Sequence, residues 1–104
     1  LTAGDWDVSC LFQFQGNSAT TVSSQEGSLS LTSATLDYTG GKGAAVTGNA
    51  APFNQIVSTS AIGLAIPPVR FSLSSTTTIY AVARSIFGTN VQSVYGVLRA
   101  RRVR

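Results

Sequence analysis

Apolar and polar residues alternate with period two along most of the chain. Over residues 6–15, Trp6, Val8, Cys10, Phe12 and Phe14 fall on one face, and Asp7, Ser9, Gln13 and Gln15 on the other. Only Leu11 breaks the alternation. So long a run predicts a half-buried strand. QGNSA reads as a turn by composition. TTVSSQ and SLSLTSATL predict two further strands separated at Glu26-Gly27, with Leu29 and Leu31 on one face. Residues 38–54 are glycine-rich and show no period, which predicts a long loop of the kind that is often functional or covered by a neighbour.

QIVSTSAIG resumes the extended pattern. Pro67-Pro68 predicts a break, after which Val69, Phe71 and Leu73 oppose Arg70 and Ser72. In SSTTTIYAVARSIF, Tyr80, Val82 and Ile86 oppose Ile79, Ala81, Ala83 and Phe87. Both faces are apolar, which predicts a strand that is central or covered on both sides. Gly88-Thr89-Asn90 turns the chain into a last strand, VQSVYGVLRARRV. The expectation is an all-β antiparallel sandwich or jelly roll of seven to eight strands. Trp6, Phe12, Phe14, Phe71, Val82 and Leu98 would lie in its core or line it.

Composition sharpens this. The chain has 104 residues, room for one core and one domain spanning 1–104. Charged residues are 11% of it, against about 25% in an average soluble domain. Polarity is carried instead by 14 serines and 12 threonines, which suit strands and turns. No apolar run has the length of a membrane-spanning helix, so no membrane insertion is expected. The chain does not start with Met and carries no signal-like segment, and it is read as the C-terminal part of a longer polypeptide.

The residues for catalysis are sparse. There is no histidine, the commonest general base and metal ligand. The single cysteine, Cys10, excludes an internal disulfide and reads as a small buried hydrophobe. Asp5 and Asp7 sit two apart on one strand face with no third ligand in the sequence pattern, the signature of a solvated strand end rather than of an acid–base pair. TGGKGAA around Lys42 lacks the spacing of a phosphate loop, and no helix follows it. The expectation is a non-enzymatic protein with no cofactor and no metal.

Charge gathers at the C-terminus, where Arg99, Arg101, Arg102 and Arg104 crowd the last strand. Three roles compete: solubilising an edge, meeting carboxylates at a subunit interface, or contacting phosphates or acidic glycans. Aromatics here alternate inside strands instead of interleaving with the basic residues, which argues against nucleic acid. Alternation sets Arg99 and Arg101 on one face, and Arg102 and Arg104 on the other. If the first and last strands are neighbours, Arg99 and Arg101 are expected to be partly buried and paired with carboxylates such as Asp7, while Arg104 is solvated.

Three stretches carry a resemblance. AGDWDVSCLFQFQGN, IPPVRFSLSSTTTIYAVARSIF and VYGVLRARRVR together resemble the C-terminal domains of tailed-bacteriophage and prophage virion proteins: fibre tips, receptor-binding ends and capsid-decorating proteins. Trp6, Val8, Phe12 and Phe14 match the opening strand, Thr77, Thr78, Tyr80 and Val82 a long middle strand, and Tyr95, Gly96 and residues 99–102 the last. The resemblance covers most of the chain outside 38–54 and implies a tumour-necrosis-factor-like jelly roll that closes into homotrimers. Cys10 departs from the small residue, such as glycine, expected there, and the chain is shorter than typical members. On this reading the protein sits in the virion, with other virion proteins or a host-surface glycan or receptor as partners.

The sparse charge and two-faced apolar strands independently favour an oligomer. Tyr80 and Tyr95, with Arg99 and Arg101, are the residues expected at the trimer interface. The alternative is a carbohydrate-binding sandwich module attached to an upstream enzyme, with Tyr38, Asn49, Phe53 and Asn54 around the glycine-rich loop as its ligand residues.

Overall fold

A computed structural model describes residues 1–16, 20–47, 55–57, 61–88 and 92–104. The described residues form an all-β fold of seven strands in two antiparallel sheets. The strands are β1 (Gly4–Gly16), β2 (Thr20–Ser30), β3 (Gly43–Thr47), β4 (Gln55–Val57), β5 (Ala61–Leu73), β6 (Tyr80–Phe87) and β7 (Gln92–Arg102), with a short 3₁₀ turn at Thr39–Gly41. The first sheet has the order β5-β1-β7. In the second, β2 is central, with β3 and β4 sharing one of its edges and β6 on the other.

The alternation of β1 produces the core. Its even-numbered face buries Val8, Cys10, Phe12 and Phe14, joined by Leu64, Ile66 and Phe71 of β5 and by Leu29 of β2. At roughly 1.5–3 kcal/mol for each large apolar side chain removed from water, this cluster is the main source of stability. The two sheets meet closely where Gly27 lies against the Phe12 ring. A Cβ at Gly27 would stand 2.5 Å from Phe12 Cε2, so only glycine admits the ring. Glu26-Gly27 is therefore a packing position inside one continuous strand and not a separator between two. Leu31 lies past the end of β2 and is exposed instead of joining Leu29.

Pro67-Pro68 also behaves differently from the expected break. β5 runs straight through both prolines, and the pairing jumps from Val8↔Val69 to Cys10↔Ile66. Two prolines thus stand against Ser9 alone, a β-bulge on an edge strand. Proline has no N–H to give a ladder, so an edge bulge is where a strand can hold it.

The strand expected to be long and central is shorter and peripheral. β6 begins only at Tyr80 and pairs with β2 alone, leaving Tyr80, Ile86 and Phe87 exposed. The segment before it is pinned otherwise: the Leu1 ammonium donates to Thr77 O at 2.7 Å, and Thr77 N donates to Leu1 O at 2.8 Å.

Of the expected core, Phe12, Phe14 and Phe71 are buried. Trp6 lines the core as expected, half-buried and packed against it: it pairs with Arg102, whose guanidinium lies 5.8 Å from the indole centroid, and it donates from Nε1 to Thr2 O. Val82 is half-buried and pairs with Ser28, on the face of its sheet turned away from Phe12. Leu98 points inward but is 45% exposed, because the second sheet does not extend over it.

Candidate functional site

The two flanks of the fold end differently. On one, β3 and the 3₁₀ turn lie against β5. The loop from Leu31 to Lys42 is tied to the end of β2, with Asp37 N donating to Ser28 Oγ and Leu29 N to Lys42 O. Gly40 and Gly41 take positive φ, a turn geometry that suits glycine. The turn brings Lys42 Nζ to 3.1 Å from Asp37 Oδ2 and to 5.9 Å from the Phe71 ring centroid. Hydrogen bonds from Thr39 and Lys42 hold the Asp37 carboxyl at a pKa of about 2.

Tyr38 belongs to this flank. Its ring occupies the space a Cβ on Gly43 would need, and its hydroxyl lies near the Glu26 carboxylate. Burial, with the Glu26 carboxylate next to it, pushes the phenol above its ordinary range. Tyr38 thus anchors its own loop, although its ring is 46% exposed. Asn49, Phe53 and Asn54, the other expected ligand residues, lie outside the described residues.

The opposite flank is open. β7 pairs only with β1, and β6 only with β2, so among the described residues each has a free edge. Val94, Gly96 and Leu98 face inward over Phe14, Phe12 and Cys10. Across from Gly96 and Leu98, β6 lines the gap with Ala81 and Ala83, too short to fill it. The result is an apolar cleft of about 360 Å³. Val94 remains 50% exposed. The outer face of β7 is apolar in its middle, with Tyr95 at 60% exposure and Val97 beside Leu11, before Arg99 and Arg101 follow. Tyr80 and Tyr95 both border this flank.

Cys10, on the cleft floor, is buried, and burial pushes its thiol up, away from the nucleophilic thiolate.

The arginines correct the expected pairing. Asp7 does lie opposite Arg101 in the register, yet its carboxylate is taken from the other side by Arg70, Nε to Oδ1 at 2.6 Å. That hydrogen bond holds the Asp7 carboxyl below its usual range. Arg99 and Arg101 are exposed, and neither makes an ion pair among the described residues. Arg104 is solvated as expected, with 80% of its side chain exposed, though it reaches Asp5 at 3.3 Å. Arg102 donates to Ala3 O and Thr2 Oγ1. Arg70 is the residue that sequence reasoning passed over. Its signal is the β1–β5 register, which sets Trp6 against Phe71 and therefore Asp7 against Arg70.

Comparison with known protein families, curated proteins and solved structures finds no match.

Proposed function

We propose that the chain is a non-enzymatic virion structural protein of a bacteriophage, working as a homotrimeric knob of jelly-roll type at a fibre tip, in host-receptor binding or in capsid decoration. The phage assignment draws on the sequence resemblance. The trimer draws on one observation, the free β6–β7 flank, where Val94, Leu98, Tyr95, Ile86 and Phe87 are all at least 40% exposed. Contiguous apolar surface of this kind marks an interaction site, and a closed ring of copies hides both strand edges at once. Tyr80 and Tyr95 stand at the rims of the interface. Arg99 and Arg101 lie next to it on β7, and among the described residues each of the four side-chain carboxylates is already in another ion pair.

Light scattering tests the reading. A mass three times the 10.8 kDa chain at micromolar concentration is the expected result, and a monomer mass would remove it.

A further inference from the structure

The ion pairs of this chain close one to one. Asp5 is taken by Arg104, Asp7 by Arg70, Glu26 by Arg84 and Asp37 by Lys42, at 3.3, 2.6, 3.8 and 3.1 Å. These are all four carboxylates among its side chains, and the formal charge of +3 falls on the three arginines left over. Arg102 is engaged with Trp6 and with Thr2 and Ala3. The remaining two, Arg99 and Arg101, project from the same face of β7, opposite Ser9 and Asp7.

At that place the sheet is recessed. The Pro67-Pro68 bulge stands against Ser9, and a shallow pocket of about 310 Å³ opens between Pro68, Ser9, Arg99, Ala100 and Arg101. A smaller recess of about 150 Å³ continues from Ser9 and Arg99 to Leu11 and Val97. One pocket thus combines two guanidiniums that form no ion pair, a hydroxyl and the ring of Pro68. Asp7 lines it too, but Arg70 already neutralises that carboxylate. Two exposed guanidiniums two residues apart repel each other, and an oxyanion bridging them removes the repulsion while gaining charge-assisted hydrogen bonds.

We infer that this pocket binds an acidic saccharide, holding a carboxylate or sulfate group between Arg99 and Arg101 with the sugar ring against Pro68. A second copy of the chain is a poor source of the anion, because each of its own carboxylates would have to leave an existing ion pair. Nucleic acid is disfavoured because its affinity grows with the number of phosphates neutralised along a track, and here two arginines are followed along the face by Val97, Leu11 and Tyr95. The size suits one ring with its acidic substituent. The inference stands apart from the trimer: a monomer that binds upholds it while sinking the oligomer reading.

Titration calorimetry on the whole chain tests it. The probes are a sulfated hexasaccharide of heparin type, an oligogalacturonide, a neutral oligogalactose, inorganic sulfate at matched ionic strength, and a single-stranded DNA of similar charge. At least one acidic saccharide is expected to bind about tenfold or more tighter than the neutral sugar, sulfate and DNA, and R99A or R101A to weaken it by about tenfold while R84A leaves it unchanged. Amide shifts at Ser9 and Ala100 on addition of the saccharide locate the site without any substitution. Equal binding of acidic and neutral sugars, displacement by sulfate at matched ionic strength, tighter binding of DNA, or shifts confined to other strands would overturn the assignment.

Discussion

The two flanks are built from the same kinds of residue and end in opposite ways. Where β5 borders the fold, Pro67 and Pro68 remove donors from the edge, a bulge spoils its register, and β3 lies alongside. Lys42 roofs Phe71, and Tyr38 fills the space over Gly43. Where β6 and β7 border it, the described strands carry no proline, and the pairing of β7 with β1 runs without a shift from Trp6↔Arg102 to Gly16↔Gln92. Their inward side chains are left half in water. A blocked edge and an inviting edge on one small fold point to association through one side only.

Phe71→Ala should separate the flanks most sharply. The ring is 5% exposed, and its loss should cost about 3–5 kcal/mol in denaturant unfolding, at every protein concentration. A loss under about 1 kcal/mol would mean that the blocked flank is not packed as described.

Leu98→Asp works on the other side and should have a different signature. Because Leu98 is 45% exposed, the isolated chain should keep its far-UV spectrum. Association should fail, so that sedimentation gives the monomer mass at concentrations where the parent is a trimer. A variant that unfolds outright would place Leu98 in the core of the single chain and cancel the contrast. Val94→Asp repeats the experiment at a second inward position.

The smallest effect is a pH dependence confined to the blocked flank. Asp37 has a pKa of about 2 in the fold against an ordinary 3.8. A depressed pKa means that the contribution is complete above about 4 and is lost as the pH falls from there towards 2. Amide exchange around Thr39–Lys42 should accelerate over that range while β6 and β7 do not respond. Asp37→Asn should flatten that local dependence. An unchanged profile in the variant would show that the Lys42 contact adds nothing.

Much of the fold was legible because its strongest signal is local. The alternation through Trp6–Phe14 defines β1, and Phe12, Phe14 and Phe71 are buried as their parity predicts. The misreadings share a cause: they depend on which strand lies next to which. Gly27 looks like a turn residue until the Phe12 ring is set against it. Pro67-Pro68 looks like a terminator until β5 proves to be an edge. Leu98 has the parity of a core residue, but parity cannot tell how far the facing sheet extends. The arginines follow the same rule. Their faces were read correctly, whereas the partner of Asp7 came from β5 and not from β7.

The unguarded edge of β7 has one more consequence. An eleven-residue strand with one row of ladder groups free can take up an edge strand of another copy, and where that contact joins unlike edges, a ring that fails to close becomes a filament. Stacking β7 on β7 in register would set Arg99, Arg101 and Arg102 each about 4.8 Å from its own copy, with no carboxylate between them. The excess charge of this chain therefore lies where it opposes the pairing of β7 with β7. Salt that screens those guanidiniums lowers the barrier to that pairing.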